Sequence, residues 1–137
     1  MSGPHQIVNA ASLPDPIGFA HAVAAAPGRT VYVGGQVGHG PDGRVVGPGL
    51  VEQFGRALAN VVEALAAAGG RPEHLVTMQI FVCDAAEYRA SLEQLGTLWR
   101  DRLGRHYPAL ALFEVSGLFD PEATVELMAI AVVPDGS

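Results

Sequence analysis

The chain has 137 residues, of which 49% are hydrophobic and 16% charged, enough for one domain with a real core and too apolar for a disordered segment. Its net charge is −6 and all eight basic residues are arginine, which argues against a phosphate-neutralising nucleic-acid surface and excludes both a lysine Schiff base and a P-loop lysine. Cys83 is the only cysteine, so no intrachain disulfide or cysteine-based zinc site can form, and a reducing, cytoplasmic setting is expected.

The N-terminal stretch MSGPHQIVNAASLPDP lacks the basic start and apolar core of a secretory signal. No apolar run approaches the ~18 residues of a membrane span. Residues 1–137 therefore read as one domain, with roughly 1–12 and 134–137 at its periphery. Two short strands are predicted at His5–Asn9 and His21–Ala25, with Pro14, Pro16 and Gly18 punctuating the stretch between them. Thr30–Gly35, TVYVGG, is a β-branched and aromatic strand ending in glycines. GPDGR at Gly40–Arg44 reads as a hairpin-type turn, since Asp-Gly accommodates positive φ.

A helix is predicted from Leu50 to Ala68. Val51, Phe54, Leu58, Val61, Val62 and Leu65 recur at steps of three and four, and Gly69-Gly70 stops the run. His74–Cys83 is apolar on both faces and belongs in the sheet centre. Asp84, with Glu87 three residues on, starts a second helix whose stripe is Tyr88, Leu92, Leu95, Trp99 and Leu103, and which Gly104 ends. Leu110–Val115 and Thr124–Val133 complete the strands. The expected fold is α+β, a mixed sheet with two helices on one face. The other face carries apolar residues that would be costly to expose, so self-association is expected.

Several segments occur in an order and spacing that resemble the RidA family, also called YjgF or L-PSP. They are IGFAHAV (Ile17–Val23), VYVGGQV (Val31–Val37), AAAGG (Ala66–Gly70), VTMQIFVCD (Val76–Asp84), YPALALFEV (Tyr107–Val115) and VELMAIAVV (Val125–Val133). The resemblance implies a chorismate-mutase-like fold and a homotrimer with a central β-barrel. It also implies small-molecule clefts between subunits, where the best-studied members deaminate enamines and imines by adding water. No cofactor is implied. In those members an arginine after Pro-Ala grips the substrate carboxylate, a cysteine often follows two residues later, and a glutamate on the last strand helps place the attacking water.

Here Pro108 and Ala109 match, but Leu110 stands where the arginine is expected and Leu112 where the cysteine is. Phe19 keeps the family's aromatic ring without its hydroxyl, Gly34 replaces a serine, and Leu92 takes the place of an asparagine. Only Glu126 retains a polar catalytic position, a carboxylate in an otherwise apolar strand. Gly35 and Gln36 are candidate ligand contacts through backbone and amide, with close packing as the alternative for the glycines.

A leucine cannot replace the two-pronged grip of a guanidinium on a carboxylate. The cleft should therefore suit a neutral or a larger, more apolar ligand than a small imino acid. The competing reading is a binding protein without catalysis. Arg105 could restore a cation, though an arginine at a helix end is more often solvated. His21, His39 and His106 are read as structural, Cys83 as a buried thiol, and no metal-ligand spacing is present.

Overall fold

The stripe predicted from Leu50 is realised as helix α1 in a computed structural model that describes residues 3–136. The elements run β1 (Gln6–Val8), β2 (Ala22–Ala24), β3 (Gly28–Val37), α1 (Leu50–Ala67), β4 (Leu75–Val82), α2 (Ala85–Ala90), α3 (Leu92–Leu103), β5 (Ala109–Glu114) and β6 (Val125–Pro134). Helix α1 ends as its glycines dictate. Gly69 adopts φ +87°, its N–H donates to Ala66 O, and the Gly70 N–H reaches back to Leu65 O, the paired bonds of a Schellman stop. The GPDGR turn also forms, with Gly43 at φ +81° and the Gly40 N–H donating to Arg44 O at 2.9 Å.

Strands β3, β6, β4 and β5 lie side by side in that order. Only the β4–β5 pair is parallel, while β1 and β2 form a separate two-stranded ribbon. The fold is thus α+β with a mixed sheet, as expected. Strand alternation divides the sheet sharply. Val33, Met78, Ile80, Val82, Val125, Leu127, Ala129 and Ala131 point towards the helices and are buried against Phe54, Leu58, Val61 and Leu65 of α1 and Leu95, Trp99 and Leu103 of α3. The opposite face, which carries Tyr32, Phe113 and Met128, has no helix over it and leaves all three exposed.

Two expectations need correction. The second helix is not continuous: it breaks at Ser91, whose φ −111° and ψ 12° interrupt the helical path. Serine competes for backbone hydrogen bonds and is a poor helix interior residue. The break gives three helices instead of two and turns Leu92 off the buried stripe, leaving it 56% exposed. Strand β3 also does not stop at its glycines but continues to Val37 through a register shift between Val33 and Gln36.

Two buried polar side chains fasten the loops. Gln53 is wholly buried; its amide nitrogen donates to Gly47 O and Glu122 O, and its oxygen accepts from the Thr124 N–H at 2.8 Å. Gln53→Leu would leave these groups without partners. It should cost about 2–4 kcal/mol, read as a lower urea midpoint with unchanged slope.

The buried His74 ring accepts from the Arg71 N–H through Nδ1, and His5 Nε2 donates to His74 O and Val132 O. Burial lowers the His74 pKa below its ordinary 6.5, the Arg71 guanidinium adds to this, the Glu73 carboxylate opposes it, and His5 and His106 add smaller lowering effects. The unfolded chain takes up a proton near pH 6.5 that the folded ring resists. Stability is therefore full above that pH and declines as the pH falls below it. Thermal melts should show a lower Tm at pH 5 than at pH 7.5, and His74→Asn should flatten that part of the profile.

Candidate active site

Glu126 stands near the start of β6, opposite Val37 of β3 and Phe81 of β4. Its side chain lies on the open sheet face and is half-buried. It makes no hydrogen bond or ion pair among the described residues. What seats it is the irregularity in β3: Gly34 and Gly35 together oppose the single residue Met128, a bulge of the kind that re-aims a neighbouring side chain. A β-carbon built at Gly35 would land on Glu126 Oε2, with the carboxyl carbon 3.0 Å away. At Gly34 a β-carbon would meet nothing within 4 Å. The missing side chain at 35, not at 34, is what the carboxylate requires.

Beside Glu126 the open face is aromatic. Phe81 is its direct neighbour in register, and Phe113 of β5 stacks on Phe81 with centroids 5.6 Å apart and planes 22° apart. Neither ring is singled out by sequence reasoning. Counting alternate residues outward from Glu126 across the register would have found both, but the register is not legible without the sheet order. The carboxylate therefore lies over a glycine bulge beside apolar rings. It can accept a proton from a water or an N–H placed there without first breaking a protein contact.

The other predicted site residues disperse. Leu110 and Leu112 pair with Met78 and Ile80 and pack with the helix-facing core. Within one chain they and Glu126 therefore lie on opposite faces of the sheet. Gln36 pairs with Leu127, also on the helix side, and lines a cavity of about 530 Å³ with Arg56, Asn60 and Glu63. Leu92 begins α3. Pro108 and Ala109 accept the returning N-terminal segment at the free edge of β5: the Ala20 N–H donates to Pro108 O at 3.1 Å, and Ala20 bridges Ala109 in parallel. Phe19 is carried to that edge and lines a groove with Arg105, His106 and Tyr107.

The histidines are committed to the scaffold. His21 accepts from the Ala10 N–H at Nδ1 and, with Nε2 thereby the protonated nitrogen, donates to Pro14 O. His106 contacts Leu75 O at 2.7 Å, and His39 contacts Val37 O and the Asn60 amide. The Cys83 thiol points to Ala123 O at 3.6 Å. Among the described residues no group of three or more His, Cys, Asp or Glu could hold a metal ion. No helix there is long and apolar enough to cross a membrane.

The family model described as endoribonuclease L-PSP matches residues 11–133. The chain belongs to this family, the RidA/YjgF group. Curated RidA relatives include the mouse 2-iminobutanoate/2-iminopropanoate deaminase, 33% identical over 93% of this chain and 90% of the mouse protein. Its human counterpart is 28% identical over 93% of this chain and 89% of the human one. Among solved Rid structures, YyfB from Yersinia pestis, a protein of unknown function, aligns with TM-score 0.83 and 30% identity, covering 95% of this chain and 99% of that one. RidA from an Antarctic Psychrobacter aligns with TM-score 0.67 and 25% identity over 93% of this chain and 99% of that one. The mixed sheet and its helix layer are thus those of Rid proteins.

The seat of the carboxylate is open to test. Gly35→Ala should preserve strand pairing and displace the Glu126 side chain from β3. A crystal structure of the variant with the carboxylate unmoved would contradict this.

Proposed function

We propose that the protein is a RidA-type hydrolase of imines or enamines, acting as a homotrimer whose open sheet faces form a central β-barrel, with reactive clefts between copies. The observation that carries this reading is the partnerless Glu126 carboxylate, seated on the glycine bulge of an uncovered apolar face. Two further features support it. The face bearing Tyr32, Phe113 and Met128 lacks an internal cover, and burying it against further copies would remove that cost. Leu110 and Glu126 lie on opposite sheet faces, so a cleft that uses both must be built from two copies.

In such a cleft a water oxygen adds to the imine carbon. Glu126 takes one proton from that water and passes it to the nitrogen, giving a carbinolamine; it then moves the hydroxyl proton to the nitrogen, the C–N bond breaks, and ammonia leaves a carbonyl product. Only water is consumed, so no cofactor is needed. An enamine enters after protonation at carbon.

The mammalian relatives are named for short 2-imino acids. Leucine at 110 supplies no cation for a carboxylate at that position, and a desolvated, unpaired carboxylate is disfavoured by several kcal/mol. The substrate proposed here is accordingly neutral, or larger and more apolar than 2-iminopropanoate, with a pathway-specific role. A cytoplasmic location, a small-molecule partner, and no nucleic-acid or membrane partner complete the proposal.

The test is ammonia release from imines made in situ, a neutral one from benzylamine by an amine oxidase and carboxylated ones from phenylalanine or alanine by an amino-acid oxidase. Turnover should favour the neutral imine, and the phenylalanine-derived imine over the alanine-derived one. Glu126→Gln should lower it about 100-fold or more while sedimentation still reports a trimer. Undiminished turnover in this variant would overturn the role of Glu126. Brisk hydrolysis of 2-aminoacrylate would overturn the reading of Leu110. The replacement of the family's polar positions by Leu110, Leu112, Gly34 and Leu92 favours a second reading, a Rid-fold ligand-binding protein. Absence of turnover with every imine, together with ligand-induced stabilisation, would support it.

A further inference from the structure

Residues 3–26, which carry the β1–β2 ribbon, bury little of themselves. Among them only His5 and Ala20 are buried, and both ribbon strands are almost wholly exposed. A segment with so few apolar contacts undocks more readily than the core. Its hydrogen bonds to the rest of the fold sit at two points. Ala20 lies beside β5, where its N–H donates to Pro108 O and it bridges Ala109. His5 reaches across to His74 O at 3.1 Å and to Val132 O at 3.0 Å.

The His5 point is sensitive to protons. The Ala26 N–H donates to His5 Nδ1 at 3.0 Å, which fixes the neutral ring with its single proton on Nε2, shared between the two carbonyls. A second proton has only Nδ1 to occupy, and there it would face the Ala26 N–H. The ring becomes an imidazolium only by giving up that bond, in a buried position where an unpaired N–H is costly.

His74, whose carbonyl takes the His5 proton, repeats the pattern. It is buried, and its own Nδ1 accepts from the Arg71 N–H at 3.0 Å. Burial lowers its pKa and the Arg71 guanidinium adds to this; Glu73 opposes, and His5 and His106 lower it further. The groups facing the pair are thus Arg71 and Glu73 from the turn before β4 and His106 from the turn into β5, while β6 contributes the Val132 carbonyl and the β2–β3 junction the Ala26 N–H. Glu73 is the one carboxylate acting on His74, and it is already paired with Arg71 at 3.1 Å. A charged ring here would meet cations and donors.

We propose that the His5–His74 pair is an acid-released latch: on protonation residues 3–26 leave the sheet together, while β4, β6 and the helices stay folded. Release withdraws Phe19 and Ala20 from Pro108 and Ala109 and opens that end of β5. The docked state binds fewer protons than the released one, so docking is at full strength above the ordinary histidine range and weakens as the pH falls through it. The latch requires neither Glu126 nor turnover and is tested separately from the proposed hydrolysis.

Hydrogen exchange of the assembled protein, followed by mass spectrometry and referred at each pH to an unstructured peptide, measures the release. From pH 7.5 to 5.5 the protection of residues 3–26 should fall about tenfold for one proton taken up, while peptides from β4 and β6 keep theirs. His5→Gln should remove this pH response, and His39→Gln, outside the latch, should leave it intact. Ring-nitrogen chemical shifts should report the Nε2–H tautomer of His5 at pH 7.5. Protection of residues 3–26 that is absent at pH 7.5 or unchanged at pH 5.5, a loss shared by β4 and β6, an undiminished response in His5→Gln, or an Nδ1–H tautomer would each overturn the proposal.

Discussion

Helices α1 and α3 bury one face of the sheet; on the other, among the described residues, Val132 is buried but Tyr32, Phe113 and Met128 stay exposed. On the covered side Leu127, Val125 and Ala131 meet Phe54, Leu58 and Leu65 in a packed core. On the uncovered side the same strands present Phe81, Phe113 and Met128. Because successive strand residues alternate between faces, each position on β5 and β6 belongs to the sealed interior or to the open surface. The place of Glu126 follows from that parity. Flanked by Val125 and Leu127, both fully buried, it is the residue between them that must face outward.

The two-glycine irregularity in β3 acts on this arrangement. It shifts the pairing by one residue, so that Gln36 turns towards α1 while Gly35 comes to lie beside Glu126. A side chain at 35 would fill the space that the carboxylate occupies. The acid thus depends less on hydrogen bonds than on an absence of atoms, which keeps it close to the strand yet without a partner.

Much of this was legible in the amino-acid order. The α1 stripe, its glycine stop, the GPDGR turn and the apolar strands each follow from local chemistry, and the Rid resemblance rests on segments spread along nearly the whole chain. Glu126 stood out as the polar residue in VELMAIAVV. The break at Ser91 was not legible, because Leu92 sits in register with Tyr88 and Leu95 and serine tolerates a helix interior at modest cost. The separation of Leu110 from Glu126 was hidden for another reason. Which face a strand residue occupies depends on the pairing of distant strands, here β4 with both β5 and β6. The groove at Arg105 likewise arises only when residues near position 19 return to Pro108, a contact across most of the chain.

β3 is an outermost strand of the sheet. An outermost strand offers unpaired N–H and C=O groups on which a stray extended peptide can add, the first step of runaway aggregation. Where two residues stand against one, the repeat that such an intruder would have to match is interrupted, and the local coiling increases. The bulge whose Gly35 makes room for an acid also leaves this border a poor template for fibril growth.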